Sequence, residues 1–266
     1  MPVRSGWGDW PNVCSARKAR WSRGCVSCMT TRLWWARPKN VQTGPTALAL
    51  LSDDERVQQQ RYIPPAKRHE HLVTRVLVRT VLGEALGVAP QALRFVSNEW
   101  GRPTLAPELM SSPLHFNVSH TDGLVVCLVS TDHEVGVDTE LHSRAPNLLA
   151  LAPNVFAPQE LADLAALPGS NQAERAVILW TLKESYIKAR GMGLALPLAG
   201  FSFSFDTDPV RLDVTPALRD DGARWQFQTR RLGSHWISTA LARSDLQGRP
   251  ASNTVAIDHV EFCYRG

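Results

Sequence analysis

Three acidic residues and two lysines fall in two short stretches, and together they could bind a metal ion and a phosphorylated ligand. In "VGVDTE", Asp138 and Glu140 are two residues apart, which places both carboxylates on one face of a strand. In "WTLKESYIKARG", Glu184 and Lys188 are four residues apart on one face of a helix, with Lys183 beside Glu184. Mg²⁺ takes carboxylate oxygens, and ammonium groups neutralise phosphates. These residues therefore suit a Mg²⁺–pyrophosphate site.

Each stretch also has a purely structural interpretation. Glu184 and Lys188 could form an ordinary ion pair on a solvated helix. Asp138 and Glu140 could mark a solvated strand end, because a D-x-E pair is a weak motif by itself. The sequence alone does not show that the two stretches meet in the fold.

A third stretch, "FNVSHT", ends an apolar strand with Ser119 and His120. Neighbouring residues on a strand point to opposite sides, so this pair is not a nucleophile with its base. No G-x-S-x-G elbow accompanies Ser119, which argues against a Ser-His hydrolase. His120 is then either a structural histidine or a donor to an anionic ligand.

Composition is that of a globular enzyme. The chain has 266 residues, 44% of them hydrophobic and 20% charged, with a net charge of +4 that favours anionic ligands or acidic partners. No apolar run approaches the roughly 20 residues of a membrane span. The five cysteines are scattered, and Cys25 and Cys28 have no second pair to complete a zinc site, so we expect reduced thiols in a cytoplasmic protein. We expect no nucleic-acid or membrane partner.

Both halves mix helices with short strands, which predicts an α+β fold. Ser52 and Glu55 have capping-box spacing at the start of a helix, and a proline-spaced loop surrounds Pro146. Three arginines of the next helix fit a solvated face: Arg68, Arg75 and Arg79. Helices are predicted at 48–60, 66–86, 158–166 and 172–190. Strands are predicted at 31–36, 93–98, 114–118, 124–130, 134–138, 201–205, 224–230 and 236–242.

The stretches "FNVSHT", "VGVDTE" and "WTLKESYIKARGMGL", in this order, resemble the three signature blocks of phosphopantetheinyl transferases. The Sfp-type subgroup, which activates carrier proteins of polyketide, peptide and fatty-acid synthesis, is the most similar. "NEWGRPTL", "NVFAPQEL" and "LPLAGFSFSF" resemble further elements of that family. The likeness runs from about Thr31 to about Ala242. It implies two similar α/β lobes related by pseudo-two-fold symmetry, with the active site in the cleft between them.

The resemblance also implies roles for single residues. Asp138, Glu140 and Glu184 would bind Mg²⁺ on the pyrophosphate of coenzyme A. Glu184 would be the general base toward the carrier serine, and Lys188 would contact the phosphates and protonate the leaving group. The catalytic set is therefore Glu184, Lys188 and Asp138, with Lys183 beside the phosphates.

On the nucleotide side, the resemblance places Ser119 and His120 near the 3′-phosphate and Arg102 near the nucleotide. Gln58 and Gln60 stand where the family has basic residues. The basic residues that could compensate are Arg56, Arg61, Lys67 and Arg68.

The function implied is transfer of the 4′-phosphopantetheine arm of coenzyme A to a serine of an apo acyl or peptidyl carrier protein, releasing adenosine 3′,5′-bisphosphate. The alternatives are a Mg²⁺-dependent phosphohydrolase acting on a nucleotide or pyrophosphate, and a non-catalytic binder of coenzyme A or a carrier. We expect a monomer. The expected division is an extension at 1–28 that is disordered or foreign to the fold, an N-terminal lobe at 29–133, a C-terminal lobe at 134–243 and a tail at 244–266.

Overall fold

The computed structural model describes residues 31–109, 113–206, 209–242 and 255–264. The predicted extension at 1–28, with Cys25 and Cys28, lies outside these residues, as does much of the tail. The fold is α+β, as predicted, and divides into two compact units: one holds 31–135 with 255–264, and the other begins at Gly136. Within the described residues, no helix combines the length and apolar character needed to cross a membrane.

The first unit is built on a four-stranded sheet in which β1 lies between β5 and the C-terminal strand β11. β1 pairs with β5 antiparallel and with β11 parallel, and β4 and β5 form an antiparallel pair. A two-stranded ribbon, β2 with β3, stands apart from this sheet. The strands are β1 (Thr31–Ala36), β2 (Phe95–Ser97), β3 (Pro103–Leu105), β4 (His115–Thr121), β5 (Leu124–Ser130) and β11 (Ile257–Glu261).

The helices of the first unit are α1 (Pro45–Ala49), α2 (Asp53–Arg61) and α3 (Pro65–Leu86). The capping box at Ser52 and Glu55 is present, as predicted. Helix α3 starts with Pro65 in its first turn and ends at Gly87, whose φ of 68° is the left-handed conformation that glycine adopts without strain. Its apolar stripe packs on the sheet and forms the core of this unit.

One expectation about α3 is wrong. Arg79 is not on a solvated face: it is 2% exposed, donates to Glu55 at 2.6 Å and donates to the carbonyl oxygen of Pro90 at 2.8 Å. A buried guanidinium needs such partners because an unpaired buried charge is costly. Arg79 therefore ties α2, α3 and the segment after α3 together.

The second unit packs long helix α6 on the three-stranded sheet β6–β10–β9. A β7–β8 ribbon and two shorter helices complete its core. The helices are α4 (Ala145–Val155), α5 (Pro158–Ala165) and α6 (Gly169–Arg190). The strands are β6 (Glu134–Leu141), β7 (Phe201–Ser204), β8 (Arg211–Val214), β9 (Trp225–Leu232) and β10 (His235–Ala242).

The structure corrects the predicted elements in two ways. The segment around Pro146 is helix α4 rather than a loop, because Pro146 stands in the first turn, where the missing N–H has no helical partner in any case. Strands β3, β8 and β11 were not predicted. Strand β11 falls in the range expected to be a tail, and its pairing with β1 makes it part of the first unit.

Candidate functional site

Strand β6 and helix α6 pack backbone against backbone at Gly136. A Cβ atom on Gly136 would lie 2.6 Å from the amide nitrogen of Ala189 and closer still to the carbonyl oxygen of Ser185. Only glycine permits such an approach, because any side chain would meet the helix backbone. The contact brings β6 next to the part of α6 that carries Glu184 and Lys188.

Asp138, two residues after Gly136, forms an ion pair with Lys188 of α6. Lys188 Nζ lies 2.6 Å from Asp138 Oδ1. Asp138 is buried, whereas the Lys188 side chain is partly exposed. The neighbouring Thr139 donates to the carbonyl oxygen of Trp236 and so anchors β6 on β10. The structure therefore brings together two of the three predicted catalytic residues, one from each element.

Glu184 is electrostatically part of the same group. Burial raises the pKa of the Glu184 carboxyl above its ordinary value, the charge of Asp138 raises it further, and Lys188 partly offsets both effects. A carboxylate with a raised pKa is a stronger base than an exposed glutamate. Asp138, Glu184 and Lys188 are thus two carboxylates and one ammonium within electrostatic reach of one another. We call these three residues the acidic site.

Glu140 points to different partners in this structure. Its Oε1 accepts a hydrogen bond from the backbone N–H of Leu141, and its Oε2 lies 3.6 Å from Arg144. Among the described residues, no three acidic, histidine or cysteine side chains are placed as a ready metal cluster. The carboxylates of Asp138 and Glu184 still fit a hard cation, since Mg²⁺ is commonly held by one or two carboxylates with water and substrate phosphates.

Lys183 does not lie with Lys188. Its ammonium is fully buried, 2.8 Å from Glu160, and it donates to the carbonyl oxygens of Leu198 and Phe201. Burial lowers the pKa of Lys183, and Glu160 partly offsets this effect. The expectation that Lys183 flanks the phosphates is therefore corrected: its donors are directed to the interior, where the Lys183–Glu160 pair joins α5, α6 and the start of β7.

The C-terminal end of α6 is held by a further buried carboxylate, that of Asp220. Asp220 accepts hydrogen bonds from Tyr186 at 2.7 Å, Arg190 at 2.6 Å, Arg224 at 2.7 Å and Trp225 at 2.9 Å. Burial alone would raise the pKa of Asp220, but these hydrogen bonds and the two arginine charges outweigh it and hold the pKa below its ordinary value. The helix then ends at Arg190, as predicted, and Gly191 follows it in the left-handed conformation.

In the first unit, Ser119 is buried in β4, whereas the side chain of His120 is more than half exposed. His120 Nδ1 lies 3.1 Å from a carboxylate oxygen of Glu70, a buried residue of α3. The other oxygen of Glu70 lies 3.2 Å from Lys67, which also contacts Asp122 at 3.1 Å. His120 is therefore accessible to a ligand and held by a buried carboxylate.

The three predicted arginines have different surroundings. Arg102 donates to the carbonyl oxygen of Val135 at 3.1 Å, and burial lowers the pKa of its guanidinium, an effect that Glu134 partly offsets. Arg56 is exposed and donates to the carbonyl oxygen of Leu48. Arg61 donates to Gln58.

Arg61 also lines an open cavity of about 420 Å³ beside α2 and α3. His71 and Arg75 add basic groups to the lining, and Asp54 and Glu55 add acidic ones. Burial lowers the pKa of His71 to about 4, and the charge of Arg75 contributes. The cavity therefore mixes both signs of charge, and all of its lining residues belong to the first unit.

Three residues that position the predicted ones were given no such role from the sequence. Gly136 carried a usable signal, since an isolated glycine in a β-branched strand indicates a close backbone approach. Glu160 and Glu70 gave no comparable signal, because their burial is visible only in the structure. Their partners, Lys183 and His120, are distant in sequence, so local pattern could not pair them.

Two family profiles match the chain over adjoining ranges. The family profile described as "4′-phosphopantetheinyl transferase superfamily" matches residues 134–240, and that described as "4′-phosphopantetheinyl transferase, N-terminal" matches residues 34–133. The chain is 34% identical to the 4′-phosphopantetheinyl transferase HetI of Nostoc sp., over 64% of this chain and 71% of that protein. It is 31% identical to the 4′-phosphopantetheinyl transferase Sfp of Bacillus subtilis, over 66% of this chain and 76% of that protein.

Among solved structures, a holo-(acyl-carrier-protein) synthase from Bacillus anthracis in complex with CoA (3′,5′-ADP) aligns with a TM-score of 0.36 and 16% identity. The alignment covers 42% of this chain and 96% of that one. This likeness is too slight to support a conclusion, and the assignment stands on the sequence relatives. The chain belongs to the 4′-phosphopantetheinyl transferase superfamily.

Proposed function

We propose that the chain transfers the 4′-phosphopantetheine arm of coenzyme A to a serine hydroxyl of an apo acyl or peptidyl carrier protein. The observation that carries the proposal is the acidic site: in a member of this superfamily, β6 and α6 bring Asp138, Glu184 and Lys188 together. Two carboxylates and an ammonium in one place suit a pyrophosphate with its cation.

In the proposed reaction, the serine oxygen attacks the phosphorus that carries the pantetheine arm. The bond from that phosphorus to the bridging oxygen breaks, and adenosine 3′,5′-bisphosphate leaves with the bridging oxygen. Glu184 takes the serine proton, directly or through water, since a hydroxyl is a weak nucleophile at its own pKa. The raised pKa of Glu184 suits this role.

Lys188 is proposed to exchange its partner in the course of binding. Its ammonium now contacts Asp138, and a pyrophosphate at the site would offer it more negative charge. From that position Lys188 would neutralise the leaving phosphate and supply its proton.

We propose Mg²⁺ as the cation, held by Asp138 and Glu184 with the phosphates of coenzyme A, and with Glu140 as a third ligand if its side chain turns from Arg144. When bound, such an ion would neutralise charge that builds on the phosphate oxygens. Ser119 and His120 are proposed to contact the 3′-phosphate side of coenzyme A, with Arg102, Arg56 and Arg61 nearby. The pseudo-two-fold symmetry, the cleft and the monomeric state stay predictions, as does the cytoplasmic location.

The test is mass spectrometry of an apo carrier protein after incubation with the chain, coenzyme A and Mg²⁺. We expect the carrier to gain the mass of the phosphopantetheine arm, and Glu184→Gln to abolish the gain. Glu174→Gln, the same change elsewhere on α6, is the matched control and should retain it. No gain across acyl and peptidyl carriers refutes the transferase. Breakdown of coenzyme A without a carrier would indicate the phosphohydrolase instead.

A further inference from the structure

The side chain of His120 is held by a carboxylate that the proposed reaction does not use. Glu70 lies on α3, is 5% exposed, and places one oxygen 3.1 Å from His120 Nδ1. Its backbone is fixed as well, since the Glu70 carbonyl oxygen accepts a hydrogen bond from Thr74 at 2.8 Å. A buried carboxylate on a helix is a rigid partner for a histidine at the end of a strand.

The chemistry of this contact determines which ring nitrogen carries hydrogen. Nδ1 of His120 lies 3.1 Å from a Glu70 oxygen, and an ionised carboxylate can only accept a hydrogen bond, so this contact favours the ring form with hydrogen on Nδ1. The hydrogen bond made by one nitrogen fixes the orientation of the ring and the role of the other. Nε2 is then the nitrogen left for a ligand, and it can donate only when the ring carries a second proton.

Charged groups of both signs surround this contact. Lys67 contacts both Glu70 and Asp122, and His71 on the same helix lies close enough to influence His120 electrostatically. A phosphate at Nε2 would place the imidazolium between two negative groups, the ligand and Glu70. Such charge-assisted hydrogen bonds are about twice as strong as neutral ones.

We infer that Glu70 is a positioning residue for the nucleotide end of coenzyme A: it holds His120 with Nδ1 protonated, so that Nε2 donates to the 3′-phosphate as part of an imidazolium. This inference rests on the proposed function, which supplies coenzyme A as the ligand. Glu70 itself touches no substrate in this arrangement. Its effect is confined to ligands that carry the phosphate His120 would contact.

The first experiment compares coenzyme A with dephospho-coenzyme A, which lacks the 3′-phosphate, and measures the ratio of their kcat/KM values. We expect Glu70→Gln and His120→Ala each to lower the preference for coenzyme A by about tenfold, the effect of one charge-assisted hydrogen bond. In the double variant the preference should fall no further than in His120→Ala. Glu84→Gln, an exposed position on the same helix, should keep the wild-type ratio.

An unchanged ratio in Glu70→Gln overturns the inference, and so does a Glu70→Gln effect of equal size in the His120→Ala background. A change that merely loosened the fold would lower both kcat/KM values together and leave their ratio unchanged. Such a result would also refute the positioning role.

The second experiment needs no transfer activity. Nitrogen-15 correlation spectra of the histidine rings should show hydrogen on Nδ1 of His120 in the wild type, and Glu70→Ala should change that signature. A His120 ring protonated at Nε2 alone in the wild type overturns the inference. If no carrier is modified, the proposed function fails, but the spectra still decide whether Glu70 holds His120.

Discussion

The backbone contact at Gly136 leads to the sharpest prediction about the acidic site. In Gly136→Ala, the new Cβ would lie 2.6 Å from the amide nitrogen of Ala189, and 3.4 Å is the lower limit of ordinary contact. The strand and the helix must therefore separate by at least 0.8 Å. The atoms in the way are backbone, so no rotamer change relieves the clash. Overpacking of this kind costs typically 1–3 kcal/mol of stability.

The effect on activity should exceed the effect on stability. The separation acts directly on the gap between Asp138 and Lys188, now 2.6 Å, and shifts Glu184 with the helix. A displacement near 1 Å in a catalytic group can cost about 100-fold in rate. We therefore expect Gly136→Ala to lower kcat/KM for carrier modification by about 100-fold while the protein remains folded at 25 °C.

The assay combines transfer kinetics with urea unfolding of the same preparation. Gly169→Ala is the matched control, because a Cβ at this first residue of α6 meets nothing within 4 Å. Ala189→Gly should not rescue Gly136→Ala, since the clash with the helix backbone remains. Wild-type kcat/KM in Gly136→Ala, or recovery with Ala189→Gly, would refute the proposed role of this contact.

Three further predictions concern buried groups, each measured by urea unfolding. Asp220→Asn should lower the free energy of unfolding at pH 7. Because the pKa of Asp220 is depressed in the fold, its stabilising contribution is present above about pH 4 and is lost as the pH falls. The stabilities of the wild type and Asp220→Asn should therefore converge in acid. Equal stability at pH 7 would contradict this. Phe262→Ala should lower the free energy of unfolding by about 3 kcal/mol, since this residue after β11 is buried in the core of the first unit. A loss below about 1 kcal/mol would show that strand β11 is dispensable for stability. Lys183→Met should cost about 3–5 kcal/mol by leaving Glu160 buried without its cation. Lys183→Met/Glu160→Gln should cost less, because glutamine removes the buried charge and keeps a carbonyl oxygen for the backbone N–H of Phe203. A double variant as unstable as the single would contradict the pairing.

Local pattern was sufficient wherever an element's own residues determine it. The strand at Thr31–Ala36 and the strand at Leu124–Ser130 were predicted with the observed bounds, because each is a short apolar run enriched in strand-forming residues. The caps of the helices were equally readable: Ser52 with Glu55 begins α2, and Gly191 ends α6. These signals act within a few residues and need no tertiary partner.

Elements that depend on distant partners were not readable. Strand β11 exists because it pairs with β1, more than 200 residues earlier in the chain, and its own sequence gives little strand signal. Arg79 was expected on a solvated face, since its type favours solvent, yet Glu55 and two backbone carbonyls make its burial stable. Around Pro146 the sequence predicts a loop because proline commonly breaks helices, yet Pro146 stands in the first turn of α4, where proline is tolerated.

For the acidic site, part of the missing information was already present in helical geometry. Residues on a helix advance about 100° each, so Glu184 and Lys188 differ by about 40° around the axis, whereas Lys183 and Lys188 differ by about 140°. Two lysines so far apart cannot serve the same phosphate from one face, and the structure accordingly buries Lys183 against Glu160. What geometry could not supply was the strand opposite Glu184 and Lys188. That required Gly136, where the missing side chain lets the two backbones meet.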